Sequence, residues 1–188
     1  MLIKSSRRRV IAILGSLPAT LMAGSGTGKL PETDPTGEGP FYKAGAPFKD
    51  DLVEPGLGGT PLVLSGRILN TSGEPVAGGT LDLWQANMEG EYDRQGYTLR
   101  GRVKANGQGT YRVRLLVPKA YRAGGGYRTA HVHVKAAAAE HSLITTELYV
   151  QGDPHNYDDF GTRPSLQMAL QQAREGKTAT FDFVLRHV

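Results

Sequence analysis

From Pro61 onward the apolar positions of this chain fall in short runs with a period of two. Pro61 to Leu69, Gly79 to Ala86, Thr110 to Val117, Thr129 to Lys135, Leu143 to Val150 and Thr178 to Arg186 are rich in Val, Leu, Ile, Thr and Tyr, which is the signature of half-buried strands. Turn chemistry separates them. Thr71-Ser72-Gly73-Glu74-Pro75 and Asn106-Gly107 favour tight turns, and Gly124-Gly125-Gly126 breaks the chain before the fourth run. Runs of this length and spacing predict a mainly β chain folded as an antiparallel β-sandwich. One short helix is expected near the C-terminus, with Pro164 near its start, Leu166, Ala169, Leu170 and Ala173 on one face and Gly176 just past its end. No internal repeat is visible.

Ahead of the strands the pattern changes twice. Residues 26–60 are rich in Gly, Pro, Thr and Asp without sustained periodicity, so they read as an extended arm leading into a sandwich domain over 61–188. In residues 1–25, Ser6-Arg7-Arg8-Arg9-Val10-Ile11 places arginines before an apolar run that continues to Ala23, with Gly15 and Pro18 inside it. That run is shorter than the ~20 residues of a spanning helix, and the segment resembles a twin-arginine export signal removed near Ala23-Gly24-Ser25. The expectation is an exported, periplasmic protein with no stable membrane span after removal of the signal.

Charge and cysteine content then narrow the chemistry. The formal net charge of +4 over 188 residues is accounted for by Lys4, Arg7, Arg8 and Arg9, and the remainder sums to zero, which removes support for a nucleic-acid partner. The chain contains no cysteine. Disulfides, zinc ribbons, iron–sulfur clusters and thiol nucleophiles are excluded together, and any metal must be held by nitrogen and oxygen ligands.

His131 and His133 stand one residue apart in Thr-Ala-His-Val-His-Val-Lys. On a strand they share one face, and Ala130, Val132 and Val134 share the other. Two imidazoles so placed are close enough to hold adjacent positions on one ion, although such a pair standing alone is more often solvated. Further ligands would have to come from the eight tyrosines, because a nearby trivalent cation favours the phenolate, a hard donor suited to ferric iron.

The motifs taken in order carry a resemblance. Gly37-Glu38-Gly39-Pro40-Phe41-Tyr42, Leu81-Asp82-Leu83-Trp84-Gln85-Ala86-Asn87, Gly90-Glu91-Tyr92, Leu99-Arg100-Gly101-Arg102, Gly109-Thr110-Tyr111, Pro118-Lys119-Ala120-Tyr121, Arg128-Thr129-Ala130-His131-Val132-His133, Thr145-Thr146-Glu147-Leu148-Tyr149 and Gly152-Asp153-Pro154 resemble the intradiol ring-cleavage dioxygenases over nearly all of the chain after the leader. The resemblance implies a Greek-key, transthyretin-like sandwich and a non-haem Fe(III) centre held by Tyr92, Tyr121, His131 and His133. It implies a catecholic small molecule and O2 as reactants, with cleavage between the two hydroxylated carbons to a cis,cis-muconate-type product. Tyr121 is implied as the ligand displaced by substrate and then available to accept a proton. Arg128 is implied as the cation that stabilises charge developing on the ring. The arm from Pro40 to Tyr42 is implied to reach the pocket, although a Pro-Phe-Tyr run also suits packing on a sandwich. Tyr97, Tyr111, Tyr127 and Tyr149 have no matching place and read as packing residues.

One position departs from the family. Its glutamine falls here on Glu147, which would either oppose a dianionic substrate or pair with Arg128, orienting it while reducing its electrophilic effect. Arg94, Arg100, Arg102 or Lys43 could meet a ring carboxylate, or be solvated surface charges. Two rival classes remain: a secreted transthyretin-like binding module without chemistry, and a cupin-like metal oxygenase, whose expected carboxylate lies nearer the second histidine than Glu140. The resemblance leaves a homo-oligomer open, built from sandwich faces or the arm.

Overall fold

A computed structural model describes residues 28–188 of the chain. The leader expected over residues 1–25 lies outside the described residues. Among the described residues no helix is long and apolar enough to cross a membrane.

The strands are β1 Pro61–Asn70, β2 Thr80–Trp84, β3 Arg100–Lys104, β4 Thr110–Leu116, β5 Tyr121–Ala123, β6 Gly126–Arg128, β7 His131–Ala137, β8 Ile144–Val150, β9 Gln167–Met168, β10 Gln171–Ala173, β11 Gly176–Thr180 and β12 Phe183–Leu185. They form two five-stranded sheets and a hairpin. One sheet runs β10-β11-β1-β12 with β4 on the other edge of β1, the second runs β3-β2-β7-β8-β9, and β5 pairs with β6. The sandwich is mixed rather than purely antiparallel, because β1 accepts β11 and then β12 in parallel, and β8 accepts β9 in parallel.

Strand alternation decides which residues meet between the sheets. Leu62 and Leu64 of β1, Leu81 and Leu83 of β2, Val113 and Leu115 of β4, Val132 and Val134 of β7, and Leu148 of β8 are fully buried in one cluster. Each such side chain contributes about 1.5–3 kcal/mol of burial. The same period of two turns the neighbouring residues of the second sheet to its opposite face. There Trp84, His133 and Glu147 stand in register across β2, β7 and β8, and His131 is paired with Tyr149. The arm crosses this face: Thr36 N–H donates to the Thr145 carbonyl at 2.9 Å, Glu38 pairs with Lys135, and the Tyr42 hydroxyl donates to Asp82 at 3.1 Å.

Two local expectations are corrected. The C-terminal run Thr178 to Arg186 is split between β11 and β12 at Phe181 and Asp182, where the Arg67 N–H donates to the Asp182 carboxylate at 2.8 Å in place of a ladder bond. The helix expected from Pro164 to Gly176 is a single 3-10 turn, Pro164–Leu166, followed by β9 and β10. Leu166 and Met168 are buried and Ala169 is exposed, a period of two that β8 satisfies by pairing Tyr149 and Val150 with Gln167 and Met168. Leu166, Ala169, Leu170 and Ala173 have helical spacing, but the buried Met168 breaks that face and fits a strand.

Candidate metal centre

The two histidines of β7 occupy the outer face of the sheet yet are almost completely buried, His131 at 3% and His133 at 2% exposure. His131 Nδ1 lies 2.6 Å from the Thr129 carbonyl. A carbonyl only accepts, so Nδ1 carries the hydrogen and Nε2 presents its lone pair. His133 is stacked on Trp84, with centroids 4.8 Å apart and planes 2° from parallel. Its Nδ1 is 3.3 Å from Glu147 Oε1 without hydrogen-bond alignment and has no other partner. Burial holds both imidazoles below their ordinary pKa, His133 well below, with His131 adding to that shift.

The tyrosines arrive from two turns. After β2, Asn87 Oδ1 accepts from the backbone N–H groups of Glu89 and Glu91 at 3.1 and 2.8 Å, a side-chain mimic of a backbone turn. Gly90 in that turn has φ of 84°, and a Cβ there would come within 2.5 Å of Tyr121 Cβ. Only glycine lets the Tyr92 turn and the β5–β6 hairpin lie together. The Tyr92 hydroxyl is then 3.3 Å from that of Tyr121, 3.2 Å from His131 Nε2 and 3.1 Å from His133 Nε2, while the two imidazole nitrogens are 3.2 Å apart. Burial first, and then Tyr121 beside it, pushes the Tyr92 phenol far up from its ordinary value. Burial likewise raises Tyr121.

Four donors of residues 92, 121, 131 and 133 therefore converge without a counter-charge among them. Bonds of about 2.0–2.1 Å from one ion to nitrogen and oxygen set neighbouring donors about 3 Å apart, which is the spacing observed, so the residues fit a hard or borderline cation. Glu147 lies near enough to His131 and His133 to form another metal-ligating group within 4.8 Å. Its oxygens are committed elsewhere, however, and the histidine nitrogen it approaches most closely is His133 Nδ1, on the far side of the ring from the convergence.

Arg128 closes β6 opposite Tyr121. Its Nη2 donates to both oxygens of Glu147 at 2.9 and 2.8 Å, its Nε donates to Asp159 at 2.7 Å, and the Tyr149 hydroxyl also donates to Glu147. Asp159 accepts as well from the Thr129 and Gly161 N–H groups at 3.1 and 3.0 Å. Burial alone would lower the Arg128 pKa, but Asp159 and Glu147 reverse that and hold it up. Burial alone would raise Asp159, and Arg128 with the backbone donors reverses that and holds it low. Of the two roles open to Glu147, pairing with Arg128 is the one the geometry shows. Asp159 carries no signal in the sequence, because it stands on a loop beyond the last of the motifs, Gly152-Asp153-Pro154.

The arm lies against the site: a Cβ on Gly39 would come within 3.3 Å of the His133 ring. Tyr42 packs on Trp84 with centroids 4.9 Å apart and gives its hydroxyl to Asp82; burial and Asp82 push its phenol up to about 12. Pro40 is exposed. Between them Phe41, inside the same Pro40–Tyr42 run, stacks on Tyr92 at 4.5 Å and 15°. Of the four cations considered for a ring carboxylate, Lys43 donates to the Gly96 carbonyl at 3.2 Å, Arg102 to that of Ala46 at 2.6 Å and Arg100 to that of Asp93 at 2.9 Å, while Arg94 lies over Phe41. Tyr97, Tyr111 and Tyr127 make packing contacts remote from the donors, whereas Tyr149, fully buried, reaches Glu147 with its hydroxyl.

A dioxygenase family model matches residues 37–187. A catechol 1,2-dioxygenase of Pseudomonas sp. (strain EST1001) is 32% identical over 171 residues, covering 79% of this chain and 56% of that protein. A hydroxyquinol 1,2-dioxygenase of Rhizobium sp. (strain MTP-10005) is 35% identical over 166 residues, covering 75% and 56%. The chain thus spans about half the length of these curated relatives. Among solved structures, the dioxygenase domain of a dioxygenase and carbohydrate-binding protein fusion from Streptomyces sp. SirexAA-E superposes with a TM-score of 0.78 and 37% identity, covering 84% of this chain and all of that one. The hydroxyquinol 1,2-dioxygenase of Pseudomonas putida DLL-E4 gives a TM-score of 0.78 at 26% identity, covering 85% and 68%. With the match extending from the arm through the last strand, the chain belongs to the intradiol dioxygenase family.

Proposed function

We propose that this chain is an intradiol ring-cleaving dioxygenase whose Tyr92, Tyr121, His131 and His133 hold one non-haem ferric ion and whose substrates are a catecholic diol and O2. The observation that carries this reading is the convergence of two phenol oxygens and two imidazole nitrogens at 3.1–3.3 Å from their neighbours. A ferric ion there supplies Lewis acidity, favouring the doubly ionised diol and making its ring electron-rich enough to react with O2.

The protein groups divide the remaining work. Tyr92 is 8% exposed and clamped by Phe41 and the Gly90 turn, so it stays in place. Tyr121 is half-buried and stands on a hairpin of three residue pairs, so it is the tyrosine with room to withdraw and take a substrate proton. Arg128, anchored from two sides, presents fixed positive charge beside the donors for negative charge developing on the ring. Trp84 and Phe41 wall the donors against water. The engagement of Lys43, Arg94, Arg100 and Arg102 favours a diol without a ring carboxylate.

Iron analysis, the visible spectrum and oxygen uptake on catechol, hydroxyquinol, chlorocatechols and protocatechuate test the proposal together. About one iron per chain, a tyrosinate charge-transfer colour and uptake on an uncharged-ring diol are expected. Colourless protein filled with zinc after growth in ample iron would overturn it. The proposal includes export: the arginines of the leader are its support, and replacement of Arg7, Arg8 and Arg9 by lysine is expected to abolish delivery by the twin-arginine route.

A further inference from the structure

Arg100 opens β3 opposite Trp84 and is only 2% exposed. A buried cation is ordinarily paired, as Arg128 is with two carboxylates. Arg100 has none: among the described residues no carboxylate forms an ion pair with it. Its neighbour Asp93 offers Arg100 only a backbone carbonyl at 2.9 Å, and turns its carboxylate to the N–H groups of Gln95, Gly96 and Thr98 at 2.9, 2.7 and 2.9 Å.

What the guanidinium does face is Tyr92. Its central carbon lies over the Tyr92 ring, 6.0 Å from the centroid. Phe41 stacks on that ring at 4.5 Å, and the Arg94 guanidinium lies 4.9 Å over Phe41. We infer that Arg100 is a positioning residue for Tyr92: its donation to the Asp93 carbonyl pins the backbone that carries this ligand, and its guanidinium sets positive charge over the ligand's ring. The inference rests on the ferric reading above. It gives a role to a buried guanidinium that has no carboxylate partner among the described residues, since the group it covers is the ring of a proposed ligand.

A cation beside the phenolate stabilises its filled orbitals and weakens its donation to the ion. Arg100→Gln keeps an N–H donor for Asp93 and removes the charge; Arg100→Lys keeps the charge and loses the planar fork. In iron-loaded full-length protein, Arg100→Gln is expected to move the tyrosinate charge-transfer band to longer wavelength and lower the ferric reduction potential, with Arg100→Lys near the parent on both. Loss of iron in Arg100→Gln with retention in Arg100→Lys supports the same role. Bands and potentials unchanged in both variants, or altered equally in both, would show that Arg100 supplies no charge to the ligand. A parent protein without the band would instead defeat the ferric reading itself, and this inference with it.

Discussion

Nη2 of Arg128 stands 2.9 and 2.8 Å from the two carboxylate oxygens of Glu147. One guanidinium is thereby shared between Glu147 on the sheet and Asp159 on the loop, and its position is fixed while much of its field is cancelled locally.

Glu147→Gln tests the cancellation. Glutamine can still accept from Arg128, and Asp159 continues to anchor it, so the orientation survives while one negative charge leaves the neighbourhood of the reacting ring. We expect iron content to be unchanged and kcat/KM on catechol to rise by up to about tenfold, equivalent to ~1.4 kcal/mol. Steady-state oxygen uptake reads this directly, and a tenfold fall would mean that the charge of Glu147 is itself required.

Asp159→Asn tests the anchor. Asparagine keeps acceptor capacity for the Thr129 or Gly161 N–H but loses the ionic grip on Arg128. Turnover is expected to fall by about 10–100-fold with iron retained, and the unfolding free energy to drop by about 1–3 kcal/mol. Parallel loss of iron and rate would assign Asp159 to assembly of the donors rather than to Arg128.

These residues also mark where the sequence stops being readable. Alternation placed His131 and His133 on one strand face, and the same alternation exposes Tyr149 and Trp84 as their neighbours once the register is known. Nothing periodic leads to Phe41 or Asp159, because an arm and a loop take their conformation from what they pack on. β3 has no signal in the apolar pattern, since Arg100-Gly101-Arg102-Val103-Lys104 shows one large apolar residue; its strand state follows from pairing with β2 and not from its own composition. The segment after Pro164 is strand for the same reason, since pairing with β8 outweighs a weak helical propensity over a few residues.

Asp93 gives a pH dependence of definite sign. Backbone N–H groups, that of Thr98 foremost, hold its carboxyl at about 2, below the unfolded value of about 3.9. As pH falls the unfolded chain takes the proton first, so the stability that Asp93 contributes is complete above about pH 4 and is lost on the way down to about pH 2. Asp159, also held low, acts in the same direction. Urea midpoints measured at pH 5 and pH 2.5 are expected to differ less in Asp93→Asn than in the parent; equal differences would mean that the turn ahead of Tyr97 does not depend on the ionised side chain.

Tyr92 and Tyr121 should behave unequally although their hydroxyls are 3.3 Å apart. Tyr92 is held by Phe41, by the Gly90 turn and by two imidazole nitrogens, so Tyr92→Phe removes an oxygen that nothing else can replace. Iron retention is expected to weaken by at least about tenfold, and the colour to go with it. Tyr121 is more exposed and on a short hairpin, and it is the group proposed to withdraw when substrate arrives. Tyr121→Phe should then keep most of its iron, shift the resting spectrum and slow turnover, because the proton acceptor is lost while the remaining donors persist. His131→Ala and His133→Ala should each lower iron content, since each removes a nitrogen that no neighbouring donor is placed to replace. Ring cleavage that survives intact in Tyr92→Phe, or iron occupancy indifferent to both histidines, would place the working centre somewhere other than at these four donors.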